Sequence, residues 1–278
     1  MDLTSPKTIK EILLKHGAKP SKGLGQNFLI DRNILNKIIE AANIKTGDAI
    51  LEVGPGIGTL TQELAQKAER VIAVEKDGTM IEILKETLKD HKNIEVVSAD
   101  ILGLDPSPYK LDPYKVVANI PYYLTSPLIR KFLESASPPT DLVLMVQKEV
   151  AQRICSKPPD MSLLAVSVQF YAEARIISYV SKNCFWPSPK IDSAIIKIIP
   201  RLPSSPSSVP SPTSPDLFFK IVKAGFSHPR KQLASNLSGA LKLEKVQVEK
   251  WLSQNNISPK QRAETLSVAD WQNLANRF

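Results

Sequence analysis

The sequence predicts an α/β fold, a doubly wound and mostly parallel sheet of seven strands, followed by a small helical domain. Three observations support this prediction. Short apolar runs alternate with segments of helical apolar spacing over the first 200 residues. A glycine-rich turn follows the first apolar run, and a proline- and serine-rich stretch precedes a basic C-terminal segment. Strands that alternate with helices form right-handed βαβ units, and such units build a parallel sheet.

The predicted strands are five short apolar runs and two later β-rich stretches, and the later pair is expected to be antiparallel at one edge of the sheet. The five runs are residues 48–53, 70–74, 94–97, 115–118 and 142–146, and the later stretches are residues 167–177 and 193–199. Helices are predicted among them at residues 33–42, 59–68 and 80–88.

Composition divides the chain into three parts. Residues 1–200 are predicted to form the sheet domain with a basic N-terminal arm. Residues 201–215 are so rich in proline and serine that neither helix nor strand is expected, which indicates an exposed linker. Residues 216–278 carry ten Lys/Arg against five Asp/Glu and contain four runs of helical spacing. This last part is predicted to be a small basic helical domain.

The charge of the chain favours a polyanionic partner. The 278 residues carry a formal net charge of +8, and the pI is about 9.3. Clustered Lys and Arg gain free energy by displacing counterions from phosphates. A generic basic surface would give the same composition, so the charge alone does not distinguish the two.

The cysteines and apolar runs predict the compartment. Cys155 and Cys184 form neither a CxxC pair nor a Cys/His cluster, so neither a disulfide framework nor a metal site is expected. Charged residues interrupt the apolar runs near the N-terminus, and residues 142–146, among the longest apolar stretches, are too short to cross a bilayer. We therefore expect a cytoplasmic protein without membrane association.

A glycine loop indicates a nucleoside-binding site. Residues 51–59, LEVGPGIGT, place a strand, a tight turn and a helix start in succession, which lets the backbone approach a ligand closely. The third glycine comes one residue earlier than in GxGxxG, with Thr59 at the expected position, so a turn without a ligand is the alternative. Glu75 lies 21 residues after Gly54 at the end of the next strand. A carboxylate there would accept both ribose hydroxyls of a nucleoside, unless it faces solvent.

Two further motifs follow the third and fourth strands. Asp100 could accept the amino group of an adenine at the carboxyl edge of the sheet, or it could cap a helix, and the sequence leaves both roles open. Asn119, Ile120, Pro121 and Tyr122 come directly after the fourth strand. A nicotinamide dehydrogenase has no use for this NIPY sequence, and a turn without a catalytic role is the other alternative.

Methylation of an amino group explains all four residue types. Adenine N6 is a poor nucleophile because its lone pair is delocalised into the ring. If the Asn119 carbonyl oxygen and the backbone carbonyl of Ile120 or Pro121 accept both N6 hydrogens, positive charge that develops on the nitrogen meets preorganised acceptors. Pro121 fixes the turn, and Tyr122 offers an aromatic face on which an extruded base can stack. The reaction needs neither a general base nor a metal.

These motifs together resemble the ribosomal RNA adenine N6-dimethyltransferases, a family that includes universal small-subunit enzymes and macrolide-resistance methylases. The resemblance covers nearly the whole chain, and besides the motifs above it includes residues 25–29 (GQNFL), 147–153 (QKEVAQR) and 185–193 (FWPSPKIDS). It implies the Rossmann-like fold of class I methyltransferases. It also implies S-adenosylmethionine as cofactor, S-adenosylhomocysteine as product, and no metal.

The resemblance implies roles for individual residues. Tyr122 and Phe185 would sandwich the target adenine, while Asn119, Ile120 and Pro121 would hold its amino group. The implied cofactor contacts are Asn27, Leu29, Gly54, Gly56, Glu75, Lys76, Asp100, Ile101 and Asn119.

Within the family, the chain resembles the small-subunit branch at residues 16–29, in the FWPSPKIDSAI motif and at residues 226–233. The substrate of that branch is two adjacent adenosines in the loop of the 3′-terminal hairpin of small-subunit (16S) rRNA, each dimethylated. The expected partner is this rRNA in a precursor of the small subunit, and a monomer is expected. The His-Pro-Arg sequence at 228–230 is less basic than usual, and the linker is unusually long.

Three other functions share part of this pattern. Large-subunit rRNA methylation, which confers antibiotic resistance, uses the same cofactor motifs. A ribosome-assembly factor could need the RNA contacts more than the catalysis, although the intact NIPY sequence argues against lost activity. DNA adenine methylation is disfavoured because nothing resembles a DNA target-recognition domain.

Overall fold

A computed structural model of the chain describes residues 1–21, 23–105, 109, 111–201 and 214–278. They form two compact units, of which the first comprises Met1–Ala151 and Ala174–Pro200 and the second Gln152–Glu173 and Arg201–Phe278. The helices are α1 (Pro6–Lys15), α2 (Arg32–Ala42), α3 (Thr59–Ala65), α4 (Gly78–Thr87), α5 (Thr125–Leu133), α6 (Lys148–Ile154), α7 (Leu163–Tyr171), α8 (Pro215–Gly225), α9 (Leu233–Leu241), α10 (Lys245–Gln254) and α11 (Val268–Asn276). The strands are β1 (Phe28–Leu29), β2 (Ala49–Val53), β3 (Arg70–Glu75), β4 (Ile94–Ser98), β5 (Tyr114–Asn119), β6 (Asp141–Gln147), β7 (Ala172–Val180), β8 (Phe185–Trp186) and β9 (Ser193–Pro200).

The main sheet has seven strands in the order β4-β3-β2-β5-β6-β9-β7. All pairs from β4 to β6 are parallel, and β9 runs antiparallel to β6. This confirms the predicted doubly wound, mostly parallel sheet. From β2 the chain builds outward on one side through β3 and β4, whereas β5 and β6 extend the other side. Such a switch point opens a crevice at the carboxyl ends of the central strands.

Helix α2 illustrates how the sequence covers the sheet. The Asp31 side chain accepts hydrogen bonds from the backbone N–H groups of Asn33 and Ile34, which satisfies two donors at the helix start. The buried residues of α2 recur at helical spacing and include Ile34 and Ile38, which share a core cluster with strand residues of the sheet. Burial of this apolar face is what holds the helix on the sheet.

The N-terminal helix packs beside the glycine loop. Ser5 accepts a hydrogen bond from the Thr8 N–H at the start of α1, and Pro6 occupies its first turn. Ile9 and Ile12 are buried in a cluster that also contains Ile57 of the glycine loop. The basic arm predicted at the N-terminus is thus an ordered helix that supports the loop.

The prediction for residues 167–177 is wrong in its first part. Residues up to Tyr171 belong to helix α7, and strand β7 begins only at Ala172. The Ser162 side chain accepts a hydrogen bond from the Ala165 N–H and so fixes a helix start that the apolar, β-branched sequence obscured. The prediction for residues 193–199 is confirmed by β9.

The second unit is helical. Its core combines residues of α7 with residues of α8 to α11, and the rings of Phe170 and Phe218 stack with centroids 4.2 Å apart. Residues 152–173 therefore belong to this unit by their contacts, whereas the sequence analysis placed them with the sheet. Residues 202–213 of the predicted linker lie outside the described residues.

None of the helices in the described ranges combines the length and the apolar character needed to cross a bilayer.

Candidate active site

A cleft opens at the carboxyl ends of β2, β3, β4 and β5, where the switch point places it. Its empty space, including the open mouth, is about 1070 Å³. Every residue to which the sequence analysis assigned a site role lines this cleft. They are Asn27, Leu29, Gly54, Gly56, Glu75, Lys76, Asp100, Ile101, Asn119, Ile120, Pro121, Tyr122 and Phe185.

The glycine loop forms the floor of the cleft between β2 and α3. Gly54 and Gly56 have positive φ values of 66° and 59°, a conformation that other residues rarely adopt. A Cβ on Gly56 would also lie 3.3 Å from the Phe28 ring. The Gly54 N–H donates to the Val74 carbonyl at 3.0 Å, which ties the turn to the neighbouring strand. The loop therefore presents bare backbone to whatever occupies the cleft.

Glu75 closes the glycine loop from the end of β3. Its Oε2 accepts a hydrogen bond from the Gly56 N–H at 3.2 Å, and its Oε1 accepts bonds from the N–H groups of Lys76 and Asp77, both at 2.9 Å. Burial raises the pKa of Glu75, and the three N–H donors oppose that shift. The carboxylate is thus part of the loop's own framework as well as a wall of the cleft.

Lys76 and Asp100 face each other at the mouth. The Lys76 Nζ lies 3.8 Å from Asp100 Oδ2 and 5.5 Å from the centroid of the exposed Tyr123 ring. The Tyr123 hydroxyl raises the pKa of Lys76. Asp100 Oδ1 accepts a hydrogen bond from the Leu102 N–H and closes a turn rather than a helix, so the helix-cap alternative is wrong. Ile101 beside it is buried.

The NIPY segment lies at the end of β5. The Asn119 Nδ2 donates to the Asn27 backbone carbonyl at 3.3 Å, and Asn27 Nδ2 in turn donates to the Gly25 carbonyl at 3.0 Å. This hydrogen bond uses the donor side of the Asn119 amide, and Asn119 lines the cleft. The Pro121 carbonyl accepts a hydrogen bond from the Leu124 N–H at 2.9 Å, which starts a short 3₁₀ helix.

Two aromatic residues bound the remaining side of the cleft. The Tyr122 hydroxyl and the Ser193 Oγ are 2.9 Å apart, and burial raises the pKa of Tyr122. Phe185 is 3% exposed and is paired with Leu29 in the two-stranded sheet formed by β1 and β8. Residues distant in sequence therefore meet at this side.

Sequence reasoning missed Glu52 in the cleft wall. Its side chain is 1% exposed, and its Oε2 has no hydrogen-bond partner among the described residues. Burial raises the pKa of Glu52 to about 8, the nearby Thr61 hydroxyl opposes this shift, and the Glu75 carboxylate adds to it. The signal in the sequence is a single acid inside the apolar run ILEVG, at a position that also fits an ordinary strand residue.

Comparison with known proteins identifies the family. The family model described as ribosomal RNA adenine dimethylase matches residues 17–278. The chain belongs to this family. It is therefore an rRNA adenine methyltransferase, and S-adenosylmethionine is the methyl donor that the family implies.

Curated relatives match over the full length. The Ribosomal RNA small subunit methyltransferase A of Alkaliphilus oremlandii is 45% identical over 284 aligned positions, which cover 99% of this chain and 98% of the relative. The protein of the same name from Clostridioides difficile is 44% identical, and the alignment covers 99% of this chain and 96% of that protein.

Two solved structures share the fold at 29% identity and a TM-score of 0.72. One is the 23S rRNA methyltransferase ErmE, and the superposition covers 90% of this chain and 99% of the ErmE chain. The other is a dimethyladenosine transferase from Plasmodium falciparum, with coverage of 88% and 95%.

The residues of the cleft fit the cofactor of this family. The bare backbone at Gly54 and Gly56 leaves room that a side chain would fill, and the buried Glu52 Oε2 lacks a partner among the described residues. Carboxylates at Glu75 and Asp100 suit the hydroxyl and amino donors of an adenosyl group. The NIPY segment lines the same cleft.

Proposed function

We propose that this enzyme dimethylates N6 of two adjacent adenosines in the 3′-terminal hairpin loop of small-subunit rRNA, within a precursor of the small subunit. The observation that carries the chemistry is the Asn119 amide, fixed by Asn27 beside the glycine loop with its oxygen available to an amino group. The small-subunit substrate is supported by relatives of that name that align over 99% of this chain.

The NIPY segment holds the amino group of the target. Asn119 Oδ1 accepts one N6 hydrogen. The Ile120 carbonyl is better placed than the Pro121 carbonyl to accept the other, because the Pro121 oxygen already binds the Leu124 N–H. When bound, S-adenosylmethionine supplies an electrophilic methyl group. The two oxygens stabilise the positive charge that develops on N6, and the proton leaves once the nitrogen is alkylated.

Tyr122 and Phe185 hold the extruded adenine between them. Stacking on aromatic rings repays part of the energy lost when the base leaves its neighbours. The hydrogen bond to Ser193 fixes the Tyr122 ring, and the tyrosine hydroxyl is neutral at physiological pH. A neutral ring of fixed orientation stacks on adenine without repelling the RNA phosphates.

The remaining cleft residues bind the cofactor. Glu75 accepts the ribose hydroxyls, and Asp100 accepts the adenine amino group. Lys76 and Ile101 flank the adenine, while the loop of Gly54 and Gly56 lies against the rest of the ligand. Asn27 and Leu29 complete the wall next to Asn119.

The helices of the second unit bind rRNA through phosphate contacts. Lys220, Lys223, Arg230 and Lys231 are all exposed there. Replacing Lys220 and Lys223 with Gln should lower the salt slope of small-subunit binding by roughly 0.7–0.9 for each phosphate that is no longer neutralised, with the affinity for S-adenosylmethionine unchanged. Point substitutions are preferable to truncation at Ser214, which would remove Phe218 from its stacked partner in α7. An unaltered slope would contradict this role.

Methyl transfer to ribosomal particles tests the substrate. The enzyme is incubated with labelled S-adenosylmethionine and, in parallel reactions, with small subunits and with large-subunit rRNA that lack the modification, and dimethyladenosine is mapped in the rRNA. We expect label in two adjacent adenosines of the terminal hairpin loop. Label in large-subunit rRNA instead would assign the antibiotic-resistance activity. Tight subunit binding without any label would assign an assembly role.

A further inference from the structure

Strand β7 exposes an unusual combination of side chains at the edge of the sheet. Arg175, Ile177 and Tyr179 are exposed, and the residues between them are less so. Successive residues of a strand point to opposite faces, so these three share one face. β7 is the last strand in the sheet order. An apolar and an aromatic side chain exposed on an edge strand favour association with another molecule.

Lys148 adds a cation to this face. It is the first residue of α6, and its Nζ lies 5.4 Å from the centroid of the Tyr179 ring. An ammonium group at that distance is attracted by the electrons of the ring. Tyr179 nevertheless remains 52% exposed, so an accessible aromatic ring and a positive charge lie side by side. We call Lys148, Arg175, Ile177 and Tyr179 the β7 surface.

The β7 surface is connected to the side of the cleft assigned to the target base. The Tyr122 hydroxyl contacts Ser193 Oγ, and Ser193 lies opposite Gln147 in the pairing of β6 with β9. The next residue, Lys148, donates its backbone N–H to the Asp192 carbonyl at 3.1 Å. Tyr122 is thus linked to Lys148 by its contact with Ser193, by the pairing of Ser193 with Gln147 and by one peptide bond, all within the first unit.

Charges of both signs lie around this surface, and the one directly beside the Tyr179 ring is the Lys148 cation. Lys182 is exposed at the end of β7 and, with Lys148 and Arg175, makes three cations. The acids nearby are Glu173, which is exposed on the same face of β7 two residues before Arg175, Glu149, which is also exposed, and Asp192, whose Oδ1 accepts the Lys182 N–H at 3.0 Å. Cations interspersed with an open aromatic ring are the features that bind single-stranded RNA, since phosphates meet the cations and a base stacks on the ring.

We propose that the β7 surface binds a nucleotide adjacent to the target adenosine in the single-stranded loop, with its base on Tyr179 and a phosphate near Lys148. The proposal rests on the proposed function, because it assigns a second contact to the same RNA loop. While one base is extruded into the cleft, its neighbour gains a replacement stacking partner. This contact positions the substrate and takes no part in methyl transfer itself.

Steady-state kinetics with small subunits that lack the modification test the proposal. Tyr179→Ala should raise KM for the subunits by roughly 5- to 100-fold, the usual effect of losing one base–aromatic stack, with kcat and the affinity for S-adenosylmethionine unchanged. Tyr179→Phe keeps the ring and should restore KM to within about two-fold of the parental value. Leu14→Ala is the matched control, because it removes an apolar side chain that is 82% exposed on α1 and should change nothing.

Ultraviolet cross-linking of the complex gives a direct readout. We expect RNA adducts on the peptide that contains Tyr179. If Tyr179→Ala keeps the parental KM and no adduct forms while the parental enzyme methylates the subunits, the surface proposal is wrong and the proposed function stands. A ribosomal protein cross-linked at Tyr179 would also overturn it by assigning a different partner. Failure of the parental enzyme to methylate any subunit would instead reject the proposed function, and this proposal with it.

Discussion

The two halves of the cleft are built in different ways. The half that fits the cofactor consists of consecutive strand ends, and backbone N–H groups around Glu75 fix its shape. The half assigned to the target base joins segments far apart in sequence through single side-chain contacts, such as Asn119 with Asn27 and Tyr122 with Ser193. Because linked backbone hydrogen bonds determine the shape of the cofactor half, one substitution there is expected to distort all of it. In the base half, by contrast, each side-chain contact can be removed separately.

The largest effect is expected at Asn119. Asn119→Ala removes an acceptor used in the transition state, so methyl transfer should fall by roughly 10²–10³. Asn119 is only one of the implied cofactor contacts, and the backbone N–H groups around Glu75 do not involve it, so the affinity for S-adenosylmethionine should stay within a few-fold. Single-turnover methyl transfer and calorimetry measure the two quantities. Near-normal turnover would refute the proposed activation of N6, and a parallel loss of cofactor affinity would show that the halves are not separable.

Substitution of Glu75, in contrast to substitution of Asn119, is expected to lower the affinity for S-adenosylmethionine. Glu75→Gln replaces an acceptor oxygen with an NH₂ group that faces N–H donors, so it should weaken S-adenosylmethionine binding by about 1.5–3 kcal/mol. Because the same oxygens hold Gly56 and Asp77, thermal stability should fall as well. Calorimetry and thermal unfolding test this pair of effects. Unchanged affinity would remove Glu75 from the ligand site, and unchanged stability would show that the loop does not need it.

Glu52, in the cofactor half, should make the stability of the folded protein sensitive to pH. Its pKa of about 8 in the folded protein exceeds the ordinary value of 4.5, so the protonated folded form is favoured. The contribution of Glu52 to the free energy of unfolding is therefore fully present below about pH 4.5. Between about pH 4.5 and pH 8 this contribution decreases by about 1.4 kcal/mol for each pH unit. Gln at position 52 stays neutral at every pH. Between about pH 6 and pH 7 the melting temperature of Glu52→Gln should therefore fall by roughly 2–5 °C less than that of the parental protein. Identical pH profiles for the two proteins would place the Glu52 pKa near its ordinary value.

The smallest effect is expected at the Tyr122 hydroxyl. Tyr122→Phe keeps the stacking ring and removes the hydrogen bond with Ser193, so methyl transfer should fall by only about two- to ten-fold, the worth of one neutral hydrogen bond. Tyr122→Ala removes the stacking ring too and should cost roughly 1–3 kcal/mol more in kcat/KM. Equal reductions in the two variants would show that the ring is not used for stacking.

The sequence allowed prediction of the parts whose chemistry is local. Strand ends, the glycine loop, Glu75 and the NIPY segment each follow directly from a short apolar run, and parallel strands bring their carboxyl ends to one edge. The start of β7 was missed because α7 is apolar nearly all round, which removes the periodicity that separates helix from strand.

Long-range contacts could not be predicted in the same way. The bond between Tyr122 and Ser193 spans 71 positions, and neither residue type indicates its partner. The same holds for Lys148 beside Tyr179, since an exposed lysine and an exposed tyrosine are each ordinary alone. The burial of Glu52 depends on how the helices cover β2, which a single acid in a strand does not reveal.

The double use of Glu75 affects how inactive members of such a family would be recognised. A descendant that had lost methyl transfer would still need this carboxylate to hold the loop, so natural selection would retain it for folding alone. Asn119 is bound to the scaffold through one side-chain hydrogen bond to Asn27, and it would be free to drift once catalysis ceased. The presence of Asn119 is therefore the better indicator of an active enzyme, whereas the presence of Glu75 indicates mainly that the protein folds.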